Sequence, residues 1–302
     1  MPAVSAATLH LYSICVLIWG STWFAITGQL GVVAPEMSIA YRFLIASVVM
    51  FAYCRRRGLR LSYGFSQHAD LALFGLSMFC LSYIFIYYAE SHVVSGMVAV
   101  GYSAGPLINM IAARILFRTR MTLRVGVAAV LGIAGICCVF WPEFGRLSGA
   151  RDAELGALLT ALGVVASSGG SMSALRCQAR GLSTLTSMAW GMLYGGAMAF
   201  GIGLVAGRPV AFEPTATYVG SLLYLALFGS IVTFACYLTL IERIGAARAA
   251  YIGVMVPIVA LAISFFLERF AWGTLTTVGV ALSVVGNVIA LQPARNTAAA
   301  RT

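Results

Sequence analysis

The chain has 302 residues, 61% hydrophobic and only 9% charged, with nineteen arginines, no lysine and a formal net charge of +10. Its mean hydropathy is +0.95. Soluble domains carry about 25% charged residues, so a water-soluble globular fold is excluded, and no nucleic-acid partner is expected because the basic residues cluster in the breaks between apolar runs.

A hydrocarbon core about 30 Å thick is crossed by roughly 20 apolar residues. The pattern predicts ten such runs, at about 8–29, 36–54, 68–89, 92–117, 124–141, 154–175, 184–206, 216–241, 247–267 and 273–291. They are long and continuous, whereas a membrane barrel would show short alternating segments. The expected fold class is therefore an all-α integral membrane protein with ten transmembrane helices. The first run has no basic leading segment, is longer than a signal-peptide core and is followed by further runs, so it reads as a span. The seven cysteines (Cys15, Cys54, Cys80, Cys137, Cys138, Cys177 and Cys236) fall in or beside apolar runs and read as small buried hydrophobes rather than a disulfide or zinc framework.

Arginine placement predicts topology. Arg55, Arg56, Arg57 and Arg60 separate runs two and three, and Arg114, Arg118, Arg120 and Arg124 surround the junction of four and five. Arg176 and Arg180 follow run six, Arg243 and Arg248 flank the junction of eight and nine, and Arg295 and Arg301 lie in the tail. These fourteen share one side if the termini do. The other side holds Arg146, Arg151, Arg208 and Arg269 together with Glu36, Glu90, Glu143, Asp152, Glu154, Glu213 and Glu268. The positive-inside rule then places both termini in the cytoplasm.

The chain also repeats itself. A shift of 151 residues lays Pro106 on Pro257, Leu116 on Leu267, Arg118 on Arg269 and Gly135 on Gly286, and the small pair Ala128 and Gly132 on Gly279 and Ser283. Small residues at such spacing let helix backbones approach closely. In a second register Gly20-Ser21 corresponds to Gly170-Ser171. Five spans per half is an odd number, so the second copy must enter from the opposite face, giving the inverted repeat common in secondary transporters. The expected divisions are 1–141 and 154–291 for the two repeats, 142–153 as an external linker, and 292–302 as a disordered cytoplasmic tail.

The stretch Trp19-Gly20-Ser21-Thr22-Trp23-Phe24, then Pro35, then Arg42-Phe43, resembles the opening of the EamA-type repeat of the drug/metabolite transporter superfamily. So do the segments from Tyr88 to Pro106 and from Leu240 through Gly245 to Pro257, followed by Leu267-Glu268-Arg269. The resemblance covers essentially the whole chain. It implies a ten-helix bacterial inner-membrane transporter with both termini cytoplasmic, most like exporters of amino acids, especially aromatic ones. Two departures show that the halves have diverged: Phe117 stands where the second half has Glu268, and Gly169 stands where the first half has Trp19.

Gly101, Gly105 and Pro106 in span four, with Gly253 and Pro257 in span nine, form a matched pair of Gly/Pro-interrupted helices, the best pointer to a transporter site and its hinges. Arg42 is the clearly intramembrane charge. It either neutralises a substrate carboxylate or pairs with Glu90, which also lies near the outer face. Asn109, three residues beyond Pro106, either binds substrate or bridges helices, whereas Asn287 is expected to pack between helices. Trp19 and Trp23 share a face of span one, and Tyr83 and Tyr87 share a face of span three. With Tyr102, Ser171 and Tyr251 they are expected to line a substrate cavity. Tyr53, Trp141, Tyr218 and Trp272 read as interfacial anchors, and Glu90 with His92 as a solvated turn.

The expected function is secondary transport of small organic metabolites, foremost aromatic or hydrophobic amino acids, by alternating access in a chain working as a monomer without cofactor or metal. A multidrug or other metabolite permease is the alternative. An intramembrane serine hydrolase built on Gly101-Tyr102-Ser103-Ala104-Gly105 is disfavoured, because no acid-then-histidine pair follows Ser103. No carboxylate falls near mid-span, which argues against proton-coupled cation export and leaves downhill transport or an unrecognised coupling group. Reporter fusions test the topology. A tag at the amino end should report the cytoplasm and one in the 142–153 connector the opposite compartment; a shared compartment would contradict five spans per half.

Overall fold

The computed structural model describes residues 6–117, 123–144, 150–245 and 249–291. Arg118, Arg120, Arg248, the connector positions 145–149 and the tail 292–302 lie outside the described residues. The described residues form helices in the order α1 (Ala6–Thr27), α2 (Pro35–Arg56), α3 (Phe65–Glu90), α4 (Ser95–Tyr102, then Gly105–Phe117), α5 (Leu123–Phe144), α6 (Ala150–Ala179), α7 (Thr184–Val205), α8 (Ala216–Ile244), α9 (Ile252–Leu267) and α10 (Thr274–Leu291). There is no strand among them. Seven are long and apolar enough to cross a membrane, and residues 126–142 and Ile252–Leu267 form shorter apolar helices. Helices dominate because lipid offers backbone groups no partners, so each span must bond within itself.

Local chemistry sets several helix ends. Pro35 opens α2 at a position where its missing N–H costs nothing. Ser183 and Thr215 cap α7 and α8 by accepting from the Thr186 and Tyr218 N–H at 3.2 and 3.3 Å. Gly58 (φ 65°) and Gly181 (φ 78°) take the left-handed conformation just beyond α2 and α6.

Three pairs of helices five apart in order, α2–α7, α4–α9 and α5–α10, pack against one another and run antiparallel. Along α5 and α10, a side chain at Gly135 would meet the Ser283 hydroxyl at 2.3 Å and the Gly279 carbonyl at 2.5 Å, while Gly286 lies against Ala128 and Gly132. Along α2 and α7, Gly196 meets Ala40 and Leu44, and Gly203 meets Met37 and Glu36. The α4–α9 pair is locked at one end. The Glu268 carboxylate, just past α9, accepts from the Ser95 N–H at 3.1 Å, the Ser95 hydroxyl at 2.5 Å and the Ser264 hydroxyl, while Ser264 Oγ accepts from the Gly96 N–H at 2.9 Å. A carboxylate on the first N–H groups of α4 also complements its helix dipole.

The halves differ at their prolines. The chain breaks inside span four, with Ser103 and Ala104 in a turn and Pro106 opening the second segment, whereas Pro257 lies within a continuous helix preceded by a turn at Ala250–Tyr251. A second feature is shared and has no counterpart in the sequence pattern. Both α3 and α8 widen to π-helical geometry, over Leu76–Leu81 and Tyr224–Val232. The 151-residue shift lays the first of these segments inside the second.

Tyr218 departs from its expected role as an interfacial anchor. It is fully buried against α2, where its hydroxyl meets Ser38 Oγ at 2.9 Å. A hydroxyl that finds a partner helix has no need of the membrane surface. Tyr53, Trp141 and Trp272 are exposed.

The α5–α10 seam gives a stability prediction. Gly135→Val, which drives side-chain atoms into the α10 backbone, should destabilise the protein by roughly 1–3 kcal/mol. Gly220→Ala, facing open space at ordinary φ, should be neutral or slightly stabilising. Thermal unfolding in detergent distinguishes them, and equal melting temperatures would contradict the seam.

Candidate functional site

A central cavity of about 430 Å³ lies where α1, α3, α4, α6, α8 and α9 converge, with Arg42 reaching it from α2. Of the residues expected at a site, Trp19, Trp23, Arg42, Tyr83, Tyr102, Ser171, Gly253 and Pro257 line this one space. Its walls are largely aromatic. The Trp23 and Tyr102 rings lie 5.1 Å apart, and the Tyr102 hydroxyl meets Ser82 Oγ at 3.0 Å. Gly163 holds the ring from behind, since a Cβ there would sit 2.3 Å from the tyrosine oxygen.

The widened turn of α8 positions Trp19, whose indole N–H donates to the Gly229 carbonyl at 3.2 Å. One turn further, Ser21 and the Tyr224 hydroxyl lie 2.6 Å apart. Such bulges re-aim side chains and carbonyls and recur at functional sites. On the other half, Gly170 packs directly on Met78 in the widened turn of α3. The loss of tryptophan from α6 thus reshapes the same contact, and the cavity is asymmetric.

Arg42 dominates the electrostatics. It is 2% exposed. Its guanidinium stacks on Tyr83 (4.6 Å to the centroid) and Phe43 (5.0 Å), contacts worth about 0.5–2 kcal/mol each. It makes a long hydrogen bond from Nη2 to Ser230 Oγ at 3.4 Å, the Tyr87 hydroxyl lies within its electrostatic reach, and Nε and Nη1 make no hydrogen bond of good geometry among the described residues. The Arg42–Glu90 ion pair is not formed, because both Glu90 oxygens are likewise buried without a hydrogen-bond partner. Glu90 is 7% exposed, so it is not part of a solvated turn; its neighbour His92 pairs instead with Asp152 at 3.0 Å.

Other expected site residues fall elsewhere. Tyr87 is fully buried and donates to Gln29 Oε1 at 2.7 Å. Tyr251 ends the turn before α9, and Asn109 lies in the second segment of α4 with its Oδ1 unpartnered. Gly101 faces Thr160 and a separate apolar groove, and neither Gly105 nor Pro106 lines the cavity. Asn287 packs within the bundle, its amide donating to the Ser283 carbonyl at 2.9 Å.

The cavity also holds Thr22, Ile26, Ile86, Ala99, Ser103, Ser167, Phe234 and Val256. Thr22 and Ile26 each stand three residues after a lining tryptophan, and Ser167 one turn before Ser171, so helical spacing carries their signal. Phe234 had none, since only folding carries α8 to α1. The Ser103 hydroxyl donates to the Val100 carbonyl at 2.6 Å. His68 lies against Trp190 and Tyr194 and His92 against Asp152, so neither is placed to activate that serine.

A helical membrane bundle around a cavity with aromatic walls and a buried cation is an arrangement that suits a membrane transport protein. The comparisons with known proteins agree. The EamA-like transporter family matches the chain twice, over residues 8–141 and 155–292, and the chain belongs to that family. An uncharacterized inner membrane transporter of Escherichia coli K12, YedA, is 31% identical over 81% of this chain and 78% of its own length. Protein PagO of Salmonella typhimurium is 22% identical, covering 93% and 91%, and protein PecM of Dickeya dadantii is 24% identical, covering 85% and 83%. A solved crystal structure shares the fold with a TM-score of 0.68 at 18% identity, over 95% of this chain and 97% of the other.

The indole contact is testable. Trp19→Phe keeps the ring but removes the bond to Gly229, and should lower stability by about 1 kcal/mol. Unchanged thermal unfolding would show that the contact does not anchor α1 to α8.

Proposed function

We propose that this membrane transporter exports small carboxylate-bearing metabolites with aromatic or hydrophobic side chains, amino acids foremost, by alternating access through the central cavity. The observation that carries this reading is the unpaired guanidinium edge of Arg42 on an aromatic wall. A buried cation without a partner costs several kcal/mol, and a substrate carboxylate accepting a bidentate pair from Nε and Nη1 removes that cost. Trp23, Tyr83 and Tyr102 offer ring faces to an apolar side chain. A volume of about 430 Å³ lies within the 300–1,000 Å³ usual for small-molecule sites. Cationic drugs fit poorly, because the lining supplies an arginine and, among the described residues, no carboxylate.

In this reading the ten helices each cross the inner membrane, both termini face the cytoplasm, and residues 1–141 and 154–291 form two inverted five-helix halves. The antiparallel packing of α2 on α7 and of α5 on α10 supports the inversion. The break at Ser103–Pro106 and the Gly253–Pro257 stretch of α9 serve as hinges. The helix is already interrupted at the first, and Pro257 removes a helix bond at the second, so bending there disturbs fewer bonds than bending elsewhere. One chain encloses the cavity and works as a monomer.

Uptake into proteoliposomes tests the substrate class. Labelled phenylalanine should enter saturably down its own gradient, and phenylalanine amide should compete weakly. Arg42→Gln should raise KM for phenylalanine about 10- to 100-fold, as loss of a charged hydrogen-bonded contact predicts, and should abolish the preference for acid over amide. An unchanged KM would exclude Arg42 as the carboxylate site.

A further inference from the structure

Tyr83, Tyr87 and Glu90 stand at i, i+4 and i+7 on α3 and so share one helix face. At its inner end Tyr83 lines the central cavity and stacks on Arg42. At its outer end Glu90 lines a second space, a vestibule of about 650 Å³ bordered by Gly31, Pro35, Tyr88 and His92. Glu90 thus lies one helical turn beyond Ile86, which lines the central cavity. Its carboxyl is more than nine-tenths buried and neither oxygen has a hydrogen-bond partner among the described residues. Arg42, on the adjacent helix and within electrostatic reach, has two unpartnered nitrogens.

Two opposite charges buried within electrostatic reach of each other but left unpaired are a costly arrangement if both are ionised. It is a stable one if the acid carries a proton and the cation awaits another anion. The remaining groups within reach fit this. Glu268 beyond α9 adds negative charge, Tyr87 and Tyr102 are neutral hydroxyls, and His92 at the vestibule rim is engaged by Asp152 of α6. Glu36 and Arg208 are joined through the Tyr88 hydroxyl (2.9 and 3.1 Å), so the Arg208 cation is engaged there rather than at Glu90.

We propose that Glu90 is a proton-carrying residue that alternates with substrate for Arg42. At rest Glu90 keeps its proton and Arg42 stands open for an anion. When the Glu90 O–H bond breaks, the proton passes to vestibule water, and the resulting carboxylate accepts from Arg42 Nε and Nη1 in place of an anion. Rebinding of an anion displaces the carboxylate, which takes up a proton again. The anionic ligand rests on the function proposed above, but the protonated Glu90 does not.

The two parts are tested separately. Infrared difference spectra of the reconstituted protein without substrate, wild type against Glu90→Gln, report the carbonyl stretch of a buried protonated carboxyl. Glutamine is isosteric with the neutral acid, so the variant should fold with an unchanged melting temperature. Wild type should show a band that Glu90→Gln lacks and that vanishes on alkaline titration. Identical spectra would overturn the proposal. In the transport arm, exchange of labelled phenylalanine should depend on pH in wild type, and that dependence should be lost in Glu90→Gln. The same pH profile in both would also overturn it. Absence of phenylalanine exchange in wild type counts against the substrate reading alone, and the infrared result then decides for or against the proton on Glu90.

Discussion

Lipid tails are as apolar as leucine, so apolar burial gives two transmembrane helices no reason to prefer each other over the bilayer. What remains is close contact between backbones, and small residues supply it. On the seams α2–α7 and α5–α10, glycines face carbonyls and Cβ positions of the partner at distances where a side chain would collide. These two seams join the halves of the chain. With the Glu268 clamp on the first turn of α4, they fix where α1, α3, α4, α6, α8 and α9 converge, and the cavity follows from that placement.

Inside the cavity the physics reverses. Most polar atoms of the scaffold are held by helix bonds, and single atoms such as Asn109 Oδ1 and Glu36 Oε2 are buried without a hydrogen-bond partner, but Arg42 and Glu90 each keep two charged-group atoms in the interior without one. Unsatisfied buried groups are destabilising. Aromatic stacking on Tyr83 and Phe43 disperses part of the guanidinium charge. That stacking holds the cation in place and leaves Nε and Nη1 open.

The widened turns of α3 and α8 connect scaffold and site. Each falls in the third helix of its half and packs on the first helix of the other half. In α8 the Gly229 carbonyl turns to the Trp19 indole; in α3 the widened turn meets the glycines of α6. The halves share a backbone design while their side chains have parted, so one symmetric frame carries a cavity with an aromatic side and a small-residue side.

Much of this was legible in the residues alone. Apolar runs of bilayer length and the Pro106/Pro257 register are readable in local composition, because lipid imposes the same rule on every span. Helical spacing likewise placed Trp19, Trp23, Tyr83 and Ser171 on faces that meet. Other features were fixed by contacts between distant segments. The widened turns depend on neighbouring helices and have no residue signature. Tyr87 turned to Gln29, Tyr218 turned to Ser38, and Asn109 stayed off the cavity because which neighbour a face meets is set by the packing of other helices. The pairing of Arg42 with Glu90, reasonable from their depth in the membrane, was decided against by geometry: tertiary packing laid the guanidinium over two rings and left the carboxyl at the edge of a different space.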